Sequence, residues 1–156
     1  GAGIDCVEEE PAKPGSQILE NPNIIVTPHM KEMSRLTGIQ IEEIKENPIR
    51  AAREFADQYG VVCVLKDAAT VIAGRDGKTF VNGSGTPAMA KGGSGDVLTG
   101  VIAGLIALGL EESDAASLGV YVHGLAGEKA AKRFGVHAVL AGEIADCLSE
   151  DRENGI

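Results

Sequence analysis

The chain has 156 residues, 44% hydrophobic and 24% charged, a balance that supports one globular domain or a large part of one and excludes a wholly disordered chain. Its formal net charge of -9 leaves no basic face for a phosphate backbone, so nucleic acid is not an expected partner. The longest uncharged apolar stretch, Val97 to Leu110, is too short to span a bilayer, and no basic segment precedes an apolar run at the N-terminus, so neither a membrane span nor a secretion signal is expected.

Ala2 to Val7 is a short apolar run, read as a buried strand ending near Asp5. Glu8 to Asn23 is an acidic connection containing Pro11, Pro14 and Pro22. Ile24 to Val26 is a second β-branched run, closed by Thr27-Pro28. Met30, Met33 and Leu36 fall at helical spacing, and Gly38 ends that helix. Pro48 suits a first helical position, so Ile49 to Tyr59 reads as an amphipathic helix stopped by Gly60. Val61 to Leu65 and Thr70 to Ala73 are strands, and Arg75-Asp76-Gly77 is a hairpin turn into Thr79 to Val81. Val97 to Leu110 is an uncharged helix with small residues at Gly100, Ala103, Gly104 and Ala107. Gly100 and Gly104 point to close packing on the sheet rather than to a membrane dimer motif, because the helix is too short. Helices at about Ser113 to Phe134 and Ala138 to Ser149 follow, and the end is expected to fray. Strands interleaved with helices predict an α/β layered fold with a mainly parallel sheet.

Three cysteines, Cys6, Cys63 and Cys147, show no CxxC spacing, and two of them sit in apolar runs. They read as buried free thiols of a reducing compartment, which makes the cytoplasm the expected location. Glu8 to Glu10 cannot all face one ion and read as a solvated run. His123 reads as a packed mid-helix residue and His137 as a loop residue. His29, at a strand end, either lines a cleft or is a solvated loop residue.

The chemistry concentrates in Asn82 to Asp96, NGSGTPAMAKGGSGD. Glycines without Cβ atoms let backbone N–H groups converge, and the helix that follows adds unpaired donors and the positive end of its dipole. Together they make a phosphate site. Asp96, at the helix entry, is either an N-cap or an acid/base beside the phosphate; the glycine density favours the second, because a cap needs only one polar residue. The segment is not a Walker loop, since Lys91 precedes the glycines and no GK[ST] follows.

These residues, with VVCVLKDAATVIA (61–73), VYVHGLAGEKAA (120–131) and TPHMKEMSRLTG (27–38), resemble the C-terminal half of the ADP/ATP-dependent NAD(P)H-hydrate dehydratases, a family of ribokinase-like enzymes. The resemblance implies a three-layer α/β sandwich, here an incomplete half-domain. Residues 1–150 form that unit, 24–150 being its nucleotide and phosphate part, and 151–156 are a tail. It implies ATP- or ADP-driven dehydration of hydrated NADH or NADPH: the substrate hydroxyl is phosphorylated and phosphate then leaves. It also implies Mg²⁺ with the nucleotide and no metal ligand from the chain. Homo-oligomers and an NAD(P)H-hydrate epimerase partner domain are implied as well. By position, Asp96 is the catalytic acid/base, and Gly93, Ser94 and Gly95 form the anion hole. Lys66, Asn82, Gly83, Ser84, Gly85, Thr86, Lys91 and Gly92 contact the nucleotide, and His29 and Glu32 lie near the substrate. One departure is Asp67, a carboxylate beside the phosphates where the family usually has Gly. Another is residues 1–29, which resemble the end of the NAD-binding domain of D-2-hydroxyacid dehydrogenases, so 1–23 read as a hybrid strand and loop and the chain as a chimera. A small-molecule kinase using the same GSGD and an inactive folded chimera are the alternatives. A dehydrogenase is disfavoured because the chain has no GxGxxG.

Overall fold

The computed structural model describes residues 24–149 and the backbone of 2–4. Five strands, β1 (Ala2–Ile4), β2 (Ile24–Val26), β3 (Val62–Leu65), β4 (Thr70–Ala73) and β5 (Thr79–Asn82), form one sheet in sequence order. β1, β2 and β3 run parallel, with Ala2 opposite Ile24 and Ile25 opposite Val62. β3, β4 and β5 are antiparallel, with Val64 opposite Ile72 and Ile72 opposite Phe80. The sheet is therefore mixed, where a mainly parallel one was expected. The reason is connection length: the short links Lys66 to Ala69 and Gly74 to Lys78 can turn a chain back but cannot carry a crossover helix.

Side chains alternate along each buried strand. Ile24, Val26, Cys63, Leu65, Val71 and Ala73 face one way, packing on Met33, Ile44, Ala52 and Phe55. Those residues come from α1 (Met30–Thr37), α2 (Ile41–Glu46) and α3 (Pro48–Tyr59). Ile25, Val62, Val64 and Ile72 face the other way, against Leu98, Ile102, Ala116 and Val120 of α4 (Ser94–Ala107) and α5 (Glu112–Phe134). Helices thus cover both faces, giving three layers. A smaller cluster of Ala88, Ala126, Ala130, Val139 and Ile144 seats α6 (Ala141–Ser149) on α5.

The expected punctuation is present. Gly38 and Gly60 close α1 and α3 in the left-handed region, at φ 74° and 64°, and Pro48 opens α3. α2 was not expected: it is six residues long with one buried side chain, Ile44, too little for a period to show. Cys63 and Cys147 are buried free thiols, and burial pushes the Cys63 thiol up to about 12. Cys6, the acidic connection Glu8 to Asn23 and the tail lie outside the described residues. Among the described residues, no helix is long and apolar enough to cross a membrane.

Candidate active site

The parallel strands β2 and β3 end side by side, and Lys66 N–H donates to the Pro28 carbonyl at 2.8 Å just beyond them. In an open α/β sheet this edge is where ligands bind, because the loops and helix N-termini converge there. The cavity at this edge has a volume of about 830 Å³. It collects His29 and Glu32 from the start of α1, Lys66 and Asp67 after β3, the loop from Asn82 to Gly93, and the first turn of α4. Every residue assigned to the site from sequence lines it except Gly83, which is exposed beside it.

α4 begins at Ser94, three residues before the expected Val97. Gly93 is its N-cap, at φ 85°, in the left-handed region that glycine occupies freely. Ser94 N–H bonds the Lys91 carbonyl at 3.3 Å, and Val97 N–H bonds the Gly93 carbonyl at 3.1 Å. The amides between them, of Gly95 and Asp96, have no backbone acceptor among the described residues. They are first-turn donors at the positive end of the α4 dipole. Asp96 is thus the third residue of the helix and does not cap it. Its carboxylate is exposed at the cavity and makes no hydrogen bond among the described residues. The cap reading of Asp96 is removed.

His29 and Glu32 do form a cap. His29 N–H donates to Glu32 Oε2 at 2.7 Å, and Glu32 N–H donates to His29 Nδ1 at 3.1 Å. Their place at the cavity edge is therefore fixed by the start of α1. Lys91 Nζ donates to the His137 carbonyl at 2.8 Å, tying the glycine turn to the loop before α6.

The opposite wall is α5, which sequence reasoning did not assign to the site. Ser84 Oγ donates to the Tyr121 carbonyl at 3.1 Å, and Gly85 N–H donates to Glu128 Oε1 at 2.8 Å. Gly124 and Gly127 let the loop lie directly on the helix: a Cβ at Gly124 would sit 2.9 Å from the Ser84 carbonyl carbon. Glycine in a helix interior costs about 1 kcal/mol relative to alanine, so the pair in HGLAG was a legible sign of close approach.

His123, on the same turn, is buried and borders the cavity. Burial is the main cause that holds its pKa down at about 4, with Lys66 adding to it and a hydrogen bond to the Ser94 backbone opposing it. Between pH 4 and the ordinary 6.5 the unfolded chain takes up a proton that the folded chain refuses. Stability from this group is complete above the unfolded value and is lost as pH falls through the folded one. The loss is on the order of 3 kcal/mol. Urea unfolding of the parent and His123→Asn at pH 7 and pH 4.5 checks this: the parent is expected to lose more stability than the variant, and equal losses would contradict it.

The family described as NAD(P)H-hydrate dehydratase matches residues 2–150. The chain belongs to the NAD(P)H-hydrate dehydratase family. Relatives in it include the bifunctional NAD(P)H-hydrate repair enzyme of Moorella thermoacetica, 46% identical over 125 residues, 80% of this chain and 24% of that protein. The ADP-dependent (S)-NAD(P)H-hydrate dehydratase of Bacillus subtilis is 39% identical over 80% of this chain and 45% of its own length. The structure of the ADP/ATP-dependent enzyme from B. subtilis, co-crystallised with ATP and Mg²⁺, superposes with a TM-score of 0.80 at 37% identity. It covers 84% of this chain and 47% of its own. A ribokinase-like superfamily protein of Enterococcus faecalis superposes with a TM-score of 0.73 at 32% identity, over 84% of this chain and 44% of its own. The fold is ribokinase-like, and the chain spans less than half the length of these dehydratase-family relatives.

Proposed function

We propose that this chain carries the nucleotide and phosphate half of an ADP- or ATP-dependent NAD(P)H-hydrate dehydratase. The observation that carries the reading is the position of Asp96: an uncapped carboxylate in the first turn of α4, directly beside unpaired amides, in a cavity that also holds the Asn82 to Gly92 loop. The donor set suits a nucleotide. Glycine amides accommodate phosphate oxygens, and no group of three or more His, Cys, Asp or Glu among the described residues could hold a metal ion by itself. Mg²⁺ in this reading comes with the nucleotide, held by phosphates, water and at most one or two carboxylates of the wall.

The chemistry follows from position. Asp96 takes the proton from the substrate hydroxyl as its oxygen attacks the terminal phosphoryl group, whose bond to the nucleotide breaks. In the anion hole assigned to Gly93, Ser94 and Gly95, the Gly93 and Gly95 amides, which have no backbone acceptor among the described residues, hold the charge that builds on the phosphoryl oxygens together with that of Asp96, while the Ser94 N–H is taken by the Lys91 carbonyl. Phosphate then leaves the substrate carbon with the C–O bonding pair, the adjacent ring carbon gives up a proton to water, and the electrons of that C–H bond restore the ring double bond. Lys66, Asn82, Gly83, Ser84, Gly85, Thr86, Lys91 and Gly92 orient the nucleotide, and His29 and Glu32 face the hydrated ring or its phosphates. Asp67, exposed in the same wall, weakens the nucleotide contact of Lys66 relative to a glycine there.

An NAD(P)H-hydrate epimerase partner and a homo-oligomer belong to the same proposal, which the bifunctional relatives support for the epimerase. So does the cytoplasm, supported by the two buried free thiols. The hybrid origin of residues 1–29 is a separate proposal. The parallel strands β1 and β2 suit either parent, while a family match beginning at residue 2 supports the dehydratase alone.

The test is incubation of the chain with hydrated NADH, Mg²⁺ and ADP or ATP, following recovered NADH and released phosphate. Both are expected together. A phosphorylated product without phosphate release would make the protein a small-molecule kinase. Nucleotide binding without turnover would show a phosphate half that needs the rest of the domain.

A further inference from the structure

Gly124 and Gly127 lie inside α5, and the loop that follows β5 fills the space they leave: Ser84 rests on Gly124, and the Met89 side chain rests on Gly127. Gly124, Gly127 and Glu128 are three and four residues apart, so they share one face of the helix. On that face the Gly85 N–H donates to Glu128 Oε1 at 2.8 Å. A bond from a backbone N–H to a carboxylate is about twice as strong as one to a neutral acceptor. Gly85 stands at φ 119°, a conformation open to glycine, and its amide is thereby given to α5. The neighbouring bonds hold the same stretch: Ser84 Oγ donates to the Tyr121 carbonyl at 3.1 Å, and Asn82 Nδ2 donates to the Ser84 carbonyl at 3.0 Å. Asn82, Ser84, Gly85 and Thr86 line the cavity, whereas Glu128 is not among the lining residues. The carboxylate therefore acts from behind the loop, and the Gly85 amide is not available to an occupant.

We propose that Glu128 is a positioning residue for the nucleotide: by holding the Gly85 amide it fixes the loop on α5, so that Asn82, Ser84 and Thr86 keep their places in the cavity wall. This rests on the reading of the Asn82 to Gly92 loop as the nucleotide loop. The bond to Gly85 stands without a ligand, which keeps the two separable.

Glu128→Ala removes the acceptor, and Glu128→Gln keeps a neutral Oε1 at the same reach. Hydrogen exchange at Gly85 in the free protein is expected to be about tenfold faster in Glu128→Ala and within about threefold of the parent in Glu128→Gln. Affinity for ADP with Mg²⁺, by calorimetry, is expected to fall about tenfold in Glu128→Ala and at most about threefold in Glu128→Gln. Affinity for inorganic phosphate, which needs only the glycine turn and the first turn of α4, is expected to be the same in all three proteins. Equal exchange at Gly85 in all three would overturn the clamp. Faster exchange with unchanged ADP affinity would make the bond structural only and overturn the positioning role. A loss of phosphate affinity as large as the loss for ADP would mean general damage to the site and would overturn it too. An ADP loss as large in Glu128→Gln as in Glu128→Ala would assign the effect to the charge and not to the bond. A parent that binds phosphate but not ADP would refute the nucleotide loop, and one that binds neither would refute the phosphate site, while exchange would still decide the clamp. Glu128→Asp, whose carboxylate is one methylene short of the amide, is expected to behave as Glu128→Ala and decides the matter if that variant fails to fold.

Discussion

Asp96→Asn is expected to lower nucleotide-dependent turnover by about 10²–10⁴-fold, the range for loss of a general base. The helix should survive, because Gly93 and not Asp96 is the N-cap. The cost to stability is about 0.3–1 kcal/mol, the value of a carboxylate in a helix's first turn. Nucleotide affinity should hold or rise slightly, since the amides remain and a negative charge near the phosphates is gone. Calorimetry with ADP beside turnover of hydrated NADH checks both halves. Unchanged turnover would remove Asp96 from the mechanism, and lost affinity would make it a binding residue.

Gly124→Ala is the largest expected structural effect. The new methyl group would stand 2.9 Å from the Ser84 carbonyl carbon, a backbone atom that cannot swing away. The loop is pinned on either side by Ser84 to Tyr121 and Gly85 to Glu128, so relief means peeling it from α5. The expected loss is about 1–3 kcal/mol, less the gain of about 1 kcal/mol in helix propensity. ADP affinity should fall with it. Gly100→Ala, in α4 with nothing within 4 Å of its Cβ, is the control and should be neutral or stabilising. Urea unfolding of the two variants checks the contrast. A Gly124→Ala protein as stable as Gly100→Ala would mean that the loop is not held as described.

Much of this was legible because local signals agreed. Gly38, Gly60 and Pro48 bounded two helices, the β-branched runs marked β2, β3 and β4, and Arg75-Asp76-Gly77 marked the hairpin. What was not legible depended on space. The start of α4 lies in the glycine segment itself, because SGD carries no hydrophobic period although it forms the first turn. The antiparallel half of the sheet follows from link lengths that strand patterns alone do not weigh. The site was read on one wall only. His123 is buried, as the packed mid-helix reading expects, and that it also borders the cavity shows only in space. Glu128 carries no motif at all; its role comes from the amide of Gly85, distant in sequence and adjacent in space.

The central claim is that the glycine turn and the first turn of α4 bind nucleotide phosphate. Amide NMR of the chain titrated with ADP and Mg²⁺ tests it most directly. Saturable shifts are expected at Gly93, Ser94, Gly95 and Asp96, with smaller ones in Asn82 to Thr86 and none on the exposed face of α3. Shifts centred elsewhere, or none at these four amides at saturating nucleotide, would contradict it.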